Sequence, residues 1–241
     1  MRTGQEIRDI FNLHYDNIMS AASPGLNDYE ISLYLTQAHK EIIYNYYSGN
    51  NKGDSFDSSE KTRTYLSHYV KSETIQNLTA ASNPPTKDLI YKECILDDSV
   101  WWIIRDSVTL STGRNILVKP IVFDEFWVLV EDPFKKPNGL RAWRLDMSAE
   151  GKRSITLISS KDFTAYNLSY IVRPGALIIS DLDNIIPGLT IEGESQYTLP
   201  DSLLSNDLLL DTVINRAVEL ATRDYKRNDL ESQIQVNNRV E

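Results

Sequence analysis

The sequence predicts an α+β protein, with a helical layer built from both chain ends and an antiparallel β sandwich or barrel inserted between them. Three observations carry that reading. Apolar residues recur at helical spacing near the N-terminus, and again in the stretch Tyr197 to Lys226. β-branched and aromatic runs bounded by turn residues fill the middle. A lone amphipathic stripe is not stable in water, so the C-terminal helix needs a partner, and the best candidates lie at the other end of the chain. The expected division is a helical part over 1–82, a β domain over 83–198, and a C-terminal helix and tail over 199–241 that packs on the first helices.

Thr3 and Glu6 form a capping box, after which Ile7, Ile10, Phe11, His14 and Ile18 predict a first helix to about Ala21. Ser23-Pro24-Gly25 breaks it. Asn27 and Glu30 make a second capping box, followed by Ile31, Leu35, Ala38 and Ile42 in a helix running to about Tyr47. Gly49 to Ser58 reads as an exposed loop, and a short third helix from Ser58 or Ser59 carries Tyr65, Leu66 and Tyr69. Strands are expected at about Leu89–Leu96, Trp101–Thr109, Ile116–Pro120, Arg141–Asp146, Ser154–Ser159 and Tyr166–Arg173. The run from Asp124 to Val130 suits a helix turn and a strand equally. Asp132 to Gly139 is a loop whose Asn-Gly end favours a hairpin turn. Ser180 to Gln196 is loop-like. In the last helix Leu210, Val213, Ile214, Ala217, Ala221 and Tyr225 share one face, opposite Asp211, Asn215, Glu219, Thr222 and Lys226. Asp201 and Ser205 are its candidate N-caps, and the tail after Asn228 is expected to fray or to dock on a partner.

A formal net charge of −9 over 241 residues argues against a protein that grips nucleic acid. The single cysteine, Cys94, rules out an intramolecular disulfide and reads as a core residue. With no signal-peptide pattern and no run long enough to span a membrane, the chain is expected to be made and kept in a cytoplasm. The Asn77 and Asn167 glycosylation patterns are then chance matches.

Chemistry is sparse. His14, His39 and His68 fall in predicted helices without a ligand pattern around them; His14 reads as a core histidine and the other two as surface. No nucleophile elbow, phosphate loop or dinucleotide fingerprint occurs. Asp97-Asp98 and Asp181-x-Asp183 lack the further ligands of a calcium loop and read as solvated turns. A pair of glycosidase carboxylates is not suggested by any feature of the sequence. No catalytic residue, metal or cofactor is expected. The tryptophans Trp101, Trp102, Trp127 and Trp143 suit either a protein interface or stacking on sugar rings; alternation along a strand puts Trp101 and Trp102 on opposite faces.

Three stretches carry a resemblance. EISLYLTQAHKEIIYNYY with GDSFDSSEKTRTYLSHYV, then KPIVFDEFWVLVEDPFKKPNGLRAWRLD, then YIVRPGALI with YTLPDSLLSNDLLLDTVINRAVELA, are similar to ring or adaptor proteins of crAss-like tailed bacteriophages and to head-to-tail connectors of short-tailed phages. The chain departs from the usual pattern in having Asp132 where Asn is typical, and in its Trp-Val-Leu-Val run. The resemblance implies a structural virion protein, assembled in the host bacterial cytoplasm. It implies a ring of this chain, commonly of twelve copies, stacked below a portal protein and beside other tail or ring proteins, with double-stranded DNA passing through the channel without specific binding. Neither an enzymatic activity nor a membrane is implied. Within that frame an acidic lumen would repel DNA, and the stiff loop Asp132, Pro133, Phe134, Lys135, Lys136, Pro137, together with Trp101 and Trp127, is expected to contact neighbouring subunits. The rival reading is a tail-associated β module that contacts a glycan or receptor through exposed aromatics.

Overall fold

The computed structural model describes residues 2–19, 25–48, 60–81, 84–149, 151–200, 203 and 206–240, with the backbone alone at 61–62, 149 and 227–240. The expected break at Ser23-Pro24, the loop over 49–59 and the caps Asp201 and Ser205 lie outside them. Two compact units form: Met1–His68 with Pro174–Glu241, and Tyr69–Arg173. The architecture is mixed α+β.

The first unit contains α1 (Gly4–Met19), α2 (Asp28–Ser48), α3 (Glu60–Ser67) and α5 (Asp207–Val240), with α1 and α2 both packed on α5. Both capping boxes form. Thr3 N–H donates to Glu6 Oε2 at 2.8 Å and Glu6 N–H to Thr3 Oγ1 at 3.2 Å, and Asn27 and Glu30 exchange the same pair at 2.9 Å. The α2 stripe Ile31, Leu35, Ala38 and Ile42 is buried as its spacing predicts, whereas α1 buries Gly4, Ile7, Phe11 and Tyr15 and leaves Ile18 exposed. Asn206 caps α5, its Oδ1 accepting from Leu209 N–H at 3.2 Å, and the helix continues through the tail expected to fray or to dock on a partner. Arg216 on α5 grips Glu41 on α2 with two bonds of 2.6 and 3.1 Å, a planar fork matched to a carboxylate.

The segment 176–179 lies along α2. Its Leu177 and Ile179 N–H groups donate to Thr36 Oγ1 at 2.9 Å and Ser32 Oγ at 3.2 Å, while Ile178 exchanges bonds with Thr198. Buried hydroxyls on the helix thus satisfy backbone groups that no strand reaches. Gly4 sits where a Cβ would lie 2.1 Å from the Ile179 carbonyl oxygen, so only glycine fits.

His39, expected at the surface, is fully buried on α2. Burial, with Lys40 beside it, lowers its pKa from 6.5 to about 4. The unfolded chain therefore takes up the proton first as pH falls. Stability is full above pH 6.5 and drops progressively toward pH 4, by about 3 kcal/mol for this group. Urea melts across that range check it, since His39→Gln should flatten this part of the profile. His14 is half-buried rather than core, its Nδ1 2.8 Å from Asn215 Oδ1 on α5, and His68 is exposed.

The second unit is one eight-stranded sheet: β1 (Val70–Ile75), β2 (Thr79–Ala80), β3 (Ile90–Ile95), β4 (Val100–Leu110), β5 (Asn115–Pro120), β6 (Arg141–Ala149), β7 (Lys152–Ser159) and β8 (Phe163–Val172), ordered β1-β8-β4-β5-β6-β7-β3-β2. The expected antiparallel sandwich or barrel is met in part: the strands form one curled sheet, and one pair in it is parallel. β5 and β6 run parallel, because the connection between them holds a short helix, α4 (Phe126–Glu131), and crosses over instead of turning back. The Asn138-Gly139 turn forms, Asn138 and Arg141 exchanging backbone bonds of 3.1 and 3.2 Å, but it leads out of the crossover and not between paired strands.

The sheet is curled into a half-barrel. Bulges at Val100/Trp102 and Ile103/Arg105 on β4 and at Thr109/Leu110 against β8 add twist and bend the strands. The two edge strands β1 and β2 are joined by residues 76–78 alone, so their ends lie within about 14 Å. Lys92 on β3 also reaches across to Asp162 at 2.8 Å and bonds the Phe163 carbonyl at the start of β8. The concave side holds the larger core, including Cys94, Val108, Leu157, Phe163, Tyr166 and Leu168. Burial raises the Cys94 thiol to about 12, which leaves it inert as a nucleophile. Within this core Arg144 Nη1 donates to Asp106 Oδ2 at 2.6 Å, and the Tyr166 hydroxyl donates to the same oxygen at 2.9 Å.

Candidate functional site

The crossover from Ile121 to Leu140 carries the candidate site. After a 3-10 turn at Phe123–Glu125, α4 spaces Phe126 and Val130 four apart, and both bury against the convex side of the sheet. There they join Leu89, Tyr91, Ile121, Trp143, Leu145 and Ile158; Phe126 meets Trp143 edge-on at 6.4 Å. A helix this short has its other side free. Trp127 and Val128 therefore point outward, 54% and 68% exposed, and Val122 and Phe123 just before them are each 61% exposed. Trp127 is braced by Phe126 at 5.2 Å in an edge-to-face pair.

The loop that follows is organised by Asp132. Its Oδ1 accepts the Phe134 N–H at 2.9 Å, its carbonyl accepts Lys135 and Lys136 N–H at 3.2 and 3.1 Å, and Lys135 Nζ lies 3.3 Å from Oδ2. These contacts, the Phe134 amide first and then Lys135, hold the carboxyl below the usual carboxylate range. Pro137 is buried, and Asn138 Oδ1 accepts from Leu140 N–H at 2.9 Å. Both ends of the loop are thus fixed. At its tip Phe134 is 95% exposed.

The structure brings Asp132, Pro133, Phe134, Lys135, Lys136 and Pro137 together with Trp127 on one crossover. Trp101 stands elsewhere. It is the extra residue of the first β4 bulge, so Trp101 and Trp102 do not alternate across the strand; their rings stack at 3.6 Å, both half-buried. Among the described residues, no group of three His, Cys, Asp or Glu could hold a metal ion. The Asp181-x-Asp183 pair is spent on its own turn, accepting from Tyr197 N–H at 2.9 Å and the Ser195 hydroxyl at 2.8 Å. No helix among the described residues is long and apolar enough to cross a membrane.

Val122, Phe123, Trp127, Val128 and Phe134 together leave an exposed apolar patch on this crossover. The model of the family described as phage tail ring protein 3/4 matches residues 2–232. The chain belongs to that family. It is similar to "Ring protein 4/5" of Bacteroides phage crAss001, at 33% identity over 241 residues covering 98% of each chain. It is also similar to "Ring protein 3" of the same phage, at 28% identity over 231 residues covering 91% of this chain and 94% of the relative. This ring-family chain is a structural component of a crAss-like phage tail apparatus, and the match spans both units. Sequence reasoning missed Val122, Phe123, Val128 and Leu140 as exposed members of the surface. The i, i+4 pair Phe126 and Val130 was the signal for them, because it fixes which side of α4 faces out.

Proposed function

We propose that copies of this chain associate head to tail into a ring, commonly of twelve, that joins the portal to the tail and surrounds the path of the DNA. The observation that carries this reading is Phe134, presented 95% exposed on a loop that its own hydrogen bonds hold in place. Such an anchor loses little conformational freedom on docking, and aromatic side chains of this kind concentrate binding energy at interfaces. Within this reading the Asp132 to Pro137 loop and Trp127 contact an adjacent subunit or an adjacent ring. The DNA passes without specific binding, since a net charge of −9 repels a polyanion. Charge is also unevenly spread: the unit made from the chain ends holds 21 Asp and Glu against 11 Lys and Arg, a net −10, while the β unit holds 13 against 14, a net +1. The helical unit is therefore the better channel wall.

The glycan-binding alternative draws little support, because Trp143 is buried and Trp101 and Trp102 cover one another. Sedimentation velocity with negative-stain microscopy of the purified chain, alone and with portal protein, tests the ring. Closed rings in either sample are expected. A chain that stays monomeric in both and is retained by glycans would overturn the proposal.

A further inference from the structure

The convex side of the sheet differs sharply between its halves. Over β6, β7 and β3 it is apolar and covered by α4, but over β1, β8, β4 and β5 no residue of α4 covers it. Outward positions there form hydrogen-bonded rows. Ser72 pairs with Ser169 at 2.9 Å, Thr74 donates to Asn167 at 2.9 Å, and Asn167 donates to Thr109 at 2.9 Å. A polar cleft of about 280 Å³ runs across them, lined by Arg105 and also by Glu73 and Asp106, whose register with Leu168 turns their side chains to the other side of the sheet. The outward positions of these four strands include no carboxylate.

The cations on this side cluster around one exposed apolar residue. Leu117, 56% exposed, pairs with Ser107 on β4 and with Arg141 on β6. Continuing the antiparallel β4–β5 register by two residues sets Lys119 beside Arg105. Arg105, Lys119 and Arg141 are all exposed, and none has an ion-pair partner among the described residues. Arg105 and Arg141 sit on strands two apart and are offset by two residues along them, a separation of roughly 12 Å.

The helical unit presents the complement. On the exposed side of α1, Asp9 and Asp16 flank Leu13, which is 61% exposed. Seven residues of helix separate the two carboxylates by about 10 Å, against roughly 12 Å between the two arginine positions, a difference that long arginine side chains take up. We propose that the Arg105–Leu117–Arg141 face of one copy receives α1 of a second copy, with Asp9 and Asp16 on the arginines and Leu13 against Leu117. The two surfaces are different, so the contact is heterologous and propagates around a ring. It deepens the ring reading above and rests on it.

The full chain is followed by sedimentation velocity at low and high salt. Wild type is expected to assemble, and less so at high salt, where charge attraction is screened. Arg105→Glu should weaken association about tenfold or more with an unchanged thermal melt, because the side chain is exposed; Arg105→Glu combined with Asp9→Lys should restore it. Assembly of Arg105→Glu equal to wild type overturns the inference and leaves the ring standing. Retention of wild type on double-stranded DNA that Arg105→Glu abolishes also overturns it, by making phosphate the occupant. A wild type that assembles neither alone nor with portal protein removes the ring reading itself.

Discussion

Arg144→Ala is expected to lower the unfolding free energy by about 3–5 kcal/mol, the loss that follows when one member of a buried ion pair is removed. Arg144 and Asp106 side chains are 8% and 6% exposed, inside the concave core. Removing the guanidinium strands a carboxylate that keeps only the Tyr166 hydroxyl at 2.9 Å, in surroundings that cannot hydrate it. Burial disfavours the charged guanidinium, yet Asp106, Tyr166 and Asp146 more than offset that and raise its pKa. Burial first, and then Asp106, likewise push the Tyr166 hydroxyl up, so it stays a donor. Urea unfolding checks the effect. The double change Arg144→Met with Asp106→Leu should recover part of the loss, because no unpaired buried charge remains, while the buried Tyr166 hydroxyl loses its acceptor. A loss below about 1 kcal/mol for Arg144→Ala would mean that water reaches the pair.

Phe134→Ala should reduce ring formation by more than tenfold while leaving the melting temperature unchanged. The side chain is 95% exposed, so its removal takes no packing from the monomer. A central aromatic anchor contributes on the order of 2 kcal/mol or more to an interface, which is over tenfold in the association constant at each contact. Trp127→Ala should act in the same direction. Because Trp127 also rests edge-on against Phe126, a small stability loss is expected with it. Asp132→Asn should be nearly silent, since an amide oxygen accepts the Phe134 N–H as a carboxylate does, and Asp132→Ala should mimic Phe134→Ala by releasing the loop. Assembly measured by sedimentation at matched concentration decides these cases; normal rings from Phe134→Ala would remove the loop from the interface.

Much of the fold was written locally. Capping boxes and four-residue apolar steps are short-range patterns, so α1 and α2 were legible, as were the six strands β3 to β8, whose buried positions are rich in β-branched and aromatic residues. β1 was not, because Val70–Ile75 is an edge strand with exposed polar positions and no apolar alternation to announce it. The parallel pairing of β5 with β6 depends on whether Asp124 to Val130 coils, which its acidic start and Trp-Val-Leu-Val body leave balanced. The Trp101–Trp102 stack depends on a bulge, and a bulge is set by how the neighbouring strand registers, not by the dipeptide itself. His39 was misplaced because Ser32, Thr36 and His39 look like a polar side of α2, whereas Ser32 and Thr36 are bonded to the 176–179 segment and all three are buried. The candidate site was legible in its loop, where proline and Asp-turn chemistry is local. Its apolar extension onto α4 was not, since it needed the helix to be settled first.

In the proposed ring this chain acts by contact with copies of itself through the crossover between β5 and β6. A cryo-electron microscopy map of the ring, at a resolution that shows side chains, tests it most directly. Phe134 and Trp127 are expected to lie buried against the adjacent subunit or ring. A map in which both remain in solvent while neighbouring copies meet elsewhere would contradict it.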